Sequence, residues 1–76
     1  MSEPRVVAKY FGAQIEEADT HIRIVVLRQT RGLAGTLWNR GWRRQRRDGA
    51  FVKRATAETI ADAQALLRAH YGGELR

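Results

Sequence analysis

Arginine and tryptophan are concentrated in one stretch of this 76-residue chain, and both residue types suit contact with an anionic, aromatic ligand. Residues 40–54 contain seven basic side chains and one acid, Asp48, which gives +6 and equals the net charge of the whole chain. Guanidinium groups form paired hydrogen bonds with phosphate oxygens, and nucleic-acid bases stack on aromatic rings. The candidate contact residues are therefore Trp38, Arg40, Trp42, Arg43, Arg44, Arg46, Arg47, Lys53 and Arg54.

The two tryptophans have two possible placements. If residues 36–44 form a strand, alternation puts Trp38, Arg40, Trp42 and Arg44 on one face. On an uncovered face the indole rings would form a stacking platform between guanidinium groups. In the core they would supply the large apolar side chains that a small domain needs. The sequence leaves both placements open.

No residue pattern in the chain indicates catalysis or metal binding. There is no cysteine, and His21 and His70 are isolated in the sequence. Residues 32–35 do not match a phosphate-binding glycine loop, because no Lys-Ser/Thr pair follows them. The acids of residues 16–19 read as solvated side chains of a turn. We therefore expect no enzymatic activity, no cofactor and no metal.

The first part of the chain predicts two strands. β-branched and aromatic residues favour a strand over residues 6–11 that continues towards Ile15, followed by a polar turn over 16–20. A second strand is predicted over 21–28, and the turn between the two should make them pair antiparallel. The second strand directs three apolar side chains to one face, Ile22, Ile24 and Val26.

The Arg/Trp-rich stretch predicts a further pair of strands. Residues 29–35 read as a loop, and residues 36–44 as a third strand. Asp48-Gly49 is a hairpin signal, because glycine accepts the positive φ of a tight turn, and residues 50–54 then form a fourth strand. The arginine run would make a basic finger that projects past the sheet.

A helix is predicted from Thr56 to the glycine pair Gly72-Gly73. Thr56 is a suitable N-cap, and Glu58 lies in the first turn, near the positive end of the helix dipole. The apolar stripe of this helix and that of the second strand together predict the core, which consists of Ile22, Ile24, Val26, Ile60, Leu67 and Tyr71.

These elements predict an α+β fold, ββββα, in one domain over residues 1–76. We expect an antiparallel sheet of four strands, with three as the minimum. One C-terminal helix packs on one face of this sheet. A chain this short buries only about 60% of the surface that it exposes when unfolded. With no signal peptide and no apolar run of membrane-spanning length, we expect a cytoplasmic protein without membrane contact. The open sheet edges allow a homodimer.

Residues 49–56, Gly-Ala-Phe-Val-Lys-Arg-Ala-Thr, lead into an alanine-rich helix. This arrangement is similar in architecture to the arm-type DNA-binding domains of tyrosine integrases, which pack a basic antiparallel sheet on one C-terminal helix. The similarity covers about a third of the chain, and the long N-terminal strand departs from that pattern. It implies a DNA contact by the basic sheet, as an analogy of architecture alone.

Two classes of function are consistent with these features. The first is a nucleic-acid-binding module, for DNA or RNA, that uses the basic hairpin for phosphate contact and a tryptophan for base stacking. The second is a small protein-interaction module or inhibitor of phage or plasmid type that docks the hairpin on an acidic protein surface. Tryptophan and arginine are enriched at protein hot spots, so the same residues suit either function.

Overall fold

The computed structural model describes residues 3–75 as an antiparallel sheet with two helices. The elements in chain order are β1 Arg5–Tyr10, β2 Ala13–Glu17, β3 His21–Val26, α1 Leu33–Asn39, β4 Arg43–Arg44, β5 Phe51–Arg54 and α2 Ala57–Tyr71. The five strands lie in the order β1-β2-β3-β5-β4, and all neighbours pair antiparallel. The predicted α+β fold, an antiparallel sheet with a C-terminal helix, is confirmed. The sheet has one strand more than the four predicted.

The first predicted strand is in fact a hairpin, β1 and β2, with its turn at Phe11 and Gly12. Gly12 has φ +123°, a region that side chains disfavour, and a Cβ placed there would lie 2.8 Å from Cε1 of Tyr71. The Gly12 carbonyl accepts hydrogen bonds from the backbone N–H groups of Leu27 and Arg28, both at 2.8 Å. The glycine therefore allows a tight turn against which the chain after β3 can pack.

The strand predicted over residues 36–44 is wrong, because residues 36–39 belong to the helix α1 and residues 40–42 form the turn that follows it. Leu33 and Leu37, four residues apart, are both buried on one helical face. The residue before the helix, Gly32, has φ +84° and gives no side-chain cap, so the usual N-terminal signal is missing. Only Arg43–Arg44 remains extended, as the short edge strand β4.

One face of the sheet and the two helices enclose the core. Three of the predicted core residues, Ile22, Ile24 and Leu67, are buried. Val26, Ile60 and Tyr71 are partly buried and pack against the same cluster. The cluster also includes strand residues and helix residues that the prediction omitted, namely Ala8, Tyr10, Ala13, Ile15, Leu33, Leu37, Trp42, Phe51, Ala63 and Leu66. Both helices therefore cover the same face and leave the other face of the sheet open.

Helix α2 begins and ends as predicted. The Thr56 hydroxyl accepts a hydrogen bond from the backbone N–H of Thr59 at 3.0 Å, and Glu58 lies in the first turn. Gly72, with φ +86°, ends the helix, and its N–H bonds to the carbonyl of Arg68. Among residues 3–75, neither helix has the length and hydropathy that crossing a bilayer requires.

The strand register places three connections at one end of the sheet. Ala13 pairs with Val26, and Ile24 pairs with Phe51, so the ends of β1, β3 and β4 meet there. We call this the three-loop end, formed by the β1–β2 turn (11–12), the β3–α1 loop (27–32) and the β4–β5 loop (45–50). The β2–β3 turn and the start of α2 lie at the opposite end.

The two edges of the sheet are short or irregular. Edge strand β4 has two residues, and β1 contains an irregularity in register between Val6 and Ala8. Both features discourage a second chain from pairing along an edge. Val25 and Val26 belong to the inner strand β3, which pairs with β2 along its length and with β5 through His21–Ile24.

Candidate nucleic-acid interface

Trp42 belongs to the core and cannot act as a stacking surface. It follows the end of α1, its backbone N–H bonds to the carbonyl of Leu37 at 2.9 Å, and its side chain is 0% exposed. Its Nε1 has no hydrogen-bond partner among residues 3–75. The predicted common face for Trp38, Arg40, Trp42 and Arg44 is therefore wrong, because the chain is helical through Asn39.

Trp38 is exposed and forms a pair with Arg43. The indole is 57% exposed near the end of α1, and the Arg43 Cζ lies 4.1 Å from its ring centroid. The same guanidinium donates from Nη1 to the carbonyl oxygens of Trp42, at 2.9 Å, and Trp38, at 3.2 Å. These bonds hold a planar cation against an aromatic ring, and either planar group can stack on a base.

Arg23 lies on the open face of the sheet and fastens the β4–β5 loop to β3. Its Nη2 donates to Oδ2 of Asp48 at 2.6 Å, its Nη1 to Oε1 of Gln45 at 3.1 Å, and its Nε to Oε1 of Glu16 at 3.3 Å. The hydrogen bond from Arg23, together with one from the Ala50 N–H, lowers the pKa of the Asp48 carboxyl. The bond to Asp48 likewise raises the pKa of Arg23, so the pair stays charged.

Arg46 and Arg47 lie between the two residues that Arg23 holds. Both side chains are exposed, and within residues 3–75 neither forms a hydrogen bond or an ion pair. The loop is closed by backbone bonds of 2.8 Å from Gln45 to the carbonyl of Ala50 and from Gly49 to the carbonyl of Gln45. The hairpin at Asp48-Gly49 is therefore present, with a six-residue loop that is tied back to the sheet instead of projecting freely.

Arg44 and Arg43 point to opposite faces of the sheet at its edge. Arg44 pairs with Phe51, and its Cζ lies 5.4 Å from that aromatic ring. Arg43 pairs with Val52, whose neighbour across the sheet is Arg23 on the open face. The register therefore directs the two side chains to opposite faces, and the Arg43 guanidinium turns back to the end of α1.

The other three predicted contact residues lie at the opposite end of the sheet. The Arg40 Nη1 bonds to Oδ1 of Asp62 at 2.5 Å, so its charge is balanced. The Lys53 Nζ donates to the carbonyl of Arg40 at 2.7 Å. Arg54 pairs with His21 at the beginning of β3. These residues are thus separated from Arg46 and Arg47 by the length of β5.

Sequence reasoning missed that charge is segregated in space. The residues outside 40–54 are neutral as a group, yet Arg28 and Arg31 lie at the three-loop end, on the loop that follows β3. Five of the acids that make the net charge of these residues zero lie at the opposite end of the sheet: Glu3, Glu17, Asp19, Glu58 and Asp62. The turn at Gly12 is the signal that could have shown this, because it fixes which loops share an end.

The comparisons with known proteins leave the function to be argued from this geometry. Among residues 3–75, no three histidine, aspartate or glutamate side chains group as metal ligands would. Comparison with protein-family models, with curated proteins and with solved structures finds no match for the chain.

Proposed function

We propose that this domain binds nucleic acid, with the β4–β5 loop as its main phosphate contact. The observation that carries the proposal is the pair Arg46 and Arg47, which are exposed, without an acid partner within residues 3–75, and set in a loop that Arg23 fastens to the sheet. Free guanidinium groups on a fixed backbone are suited to phosphate oxygens, which they bind by charge and by paired hydrogen bonds.

The Arg23 contacts lower the cost of binding. A loop that must become ordered on association loses conformational entropy, which subtracts from affinity. Here the bonds to Gln45 and Asp48 fix the loop beforehand, so only the arginine side chains need to adjust. The Arg43–Trp38 pair offers a further exposed planar surface on the chain that leads into this loop. Trp42 takes no part, because it is buried.

Salt dependence of binding tests the proposal. Arg46→Ala/Arg47→Ala should weaken binding to unrelated sequences and reduce the slope of log K against log salt by about 1.8 on duplex DNA, or about 1.4 on a single strand. The corresponding double lysine variant should recover the slope but only part of the affinity, because lysine lacks the guanidinium fork. Arg5→Ala, which removes one exposed charge at the opposite end, should leave the slope unchanged and is the control for the single variant Arg46→Ala, whose slope should fall by about 0.9 on duplex DNA.

Two results would contradict the proposal. Equal salt slopes for wild type and the double alanine variant would show that the loop does not contact phosphate. A wild-type protein that binds neither DNA nor RNA at low salt would rule out nucleic acid altogether. The exposed Arg46 and Arg47 would then be left as a contact for an acidic protein surface.

A further inference from the structure

A second basic and aromatic surface lies at the three-loop end, on the side formed by the β1–β2 turn, the 27–32 loop and the end of α2. It is a shallow groove of about 450 Å³, lined by Phe11, Arg28, Arg31, His70 and Tyr71 together with Gln29 and Thr30. We infer that this groove holds one nucleotide of a single-stranded nucleic acid, with the base against Phe11 and the phosphate on the arginines. The inference rests on the proposed function, because the same strand would also contact Arg46 and Arg47.

The chemistry of the groove matches an unpaired nucleotide. Phe11 is 63% exposed at the tip of a tight turn, and the Arg28 Cζ lies 5.5 Å from its ring centroid. Bases stack on aromatic rings and on guanidinium planes, whereas a duplex keeps its base faces covered by neighbouring pairs. Arg31 is exposed and lines the same groove, and none of the described residues that line it is acidic.

The backbone that carries these side chains is fixed from two directions. The Tyr71 hydroxyl donates to the carbonyl of Arg28 at 2.5 Å, and the Thr30 hydroxyl is 2.9 Å from Nδ1 of His70. The Gly12 carbonyl accepts from the N–H groups that follow β3. Helix α2 and the β1–β2 turn therefore hold the 27–32 loop, as Arg23 holds the 45–50 loop.

The two basic surfaces are close enough for one strand to reach both. The β1–β2 turn and the β4–β5 loop are separated by about three strand spacings, or about 14 Å. Single-strand sites commonly cover about 4–16 nucleotides, and an extended strand of that length is long enough to span this distance. Among the described residues, this end carries two acids, Asp48 and Glu74, against the bases Lys9, Arg28, Arg31, Arg44, Arg46, Arg47 and Arg68. The groove thus extends a positive surface that begins at the β4–β5 loop.

Substitutions at Phe11 and Arg31 test the assignment by fluorescence anisotropy. The probes are oligothymidylate, oligouridylate and a mixed duplex, each of about 12 nucleotides or pairs, a length within the range for one domain. Phe11→Leu keeps an apolar side chain without a ring and should weaken single-strand binding about fivefold or more, whereas Phe11→Tyr keeps the ring and should bind within about twofold of wild type. Arg31→Ala should reduce the single-strand salt slope by about 0.7.

The outcomes separate this inference from the proposed function. Loss of single-strand binding in Phe11→Leu, with duplex binding unchanged, supports the groove. Equal affinities for Phe11→Leu and Phe11→Tyr overturn it. If Arg46→Ala/Arg47→Ala loses binding while the Phe11 and Arg31 variants match wild type, the groove is wrong and the loop contact remains. If wild type binds no probe at low salt, both are wrong.

Discussion

Replacement of Trp42 by alanine tests whether this ring serves the fold or a ligand. The side chain is fully buried in the core, and truncations of buried side chains leave cavities that the surrounding structure fills only in part. Truncations of this size cost about 3–5 kcal/mol. A domain of this length has a total stability of about 4–11 kcal/mol, at ~0.05–0.15 kcal/mol per residue. We expect Trp42→Ala to be severely destabilised or unfolded at 25 °C.

Phenylalanine at the same position separates packing from hydrogen bonding. The smaller ring loses about two buried carbon positions, at about 0.8 kcal/mol each. It also removes the Nε1 donor, which has no partner among residues 3–75 and whose burial costs about 1–3 kcal/mol. The two effects oppose each other, so Trp42→Phe should change the free energy of unfolding by only about 1 kcal/mol.

Urea denaturation followed by far-ultraviolet circular dichroism measures both variants, and oligonucleotide binding is measured on the folded Trp42→Phe protein. An unchanged urea midpoint for Trp42→Ala would refute the core placement. A Trp42→Phe protein of normal stability that binds single strands about fivefold more weakly or worse would show that the indole contacts the ligand, at the level of one stacked base.

Two further predictions concern the fold and its dependence on pH. Leu67→Ala should lower the free energy of unfolding by about 2–5 kcal/mol, because Leu67 is fully buried under the sheet, and an unchanged melting temperature would contradict this. Asp48 has a lowered pKa, so its bond to Arg23 adds stability at neutral pH that is lost as the pH falls below its ordinary range near 4. Urea midpoints of wild type and Asp48→Asn should therefore differ at pH 7, and the difference should shrink as the pH is lowered below about 4, whereas a constant difference would contradict the linkage.

The elements with redundant local signals were predictable from the sequence. Helix α2 has a capping threonine, an acid in the first turn and a terminal glycine, all of which act within a few residues. Strand β3 alternates Ile22 and Ile24 with polar residues, and both isoleucines are buried as predicted. In each case the local preference agrees with the tertiary packing.

The errors arose where tertiary packing decided between two local patterns. Residues 36–44 alternate as a strand would, but Leu33 and Leu37 also have helical spacing, and burial of this pair favours the helix. Without a capping side chain at Gly32, no local signal marked its beginning. The error bears on the placement of two of the nine predicted contact residues. Trp42 lies in the core, and Arg40 is paired with Asp62.

The strand order has a consequence for how the chain folds. Strands β1, β2 and β3 are consecutive neighbours, so they can form an early meander from contacts that are local in sequence. Strands β4 and β5 form a second local hairpin, but β5 joins β3 only across the longer connection that contains α1. The two-residue ladder of β4 lies at the edge of the sheet and should open first, so its amide protons should exchange ahead of those in the meander. The arginine loop gains its bonds to Arg23 only when this hairpin docks on β3, so the loop should take its final shape after the meander has formed.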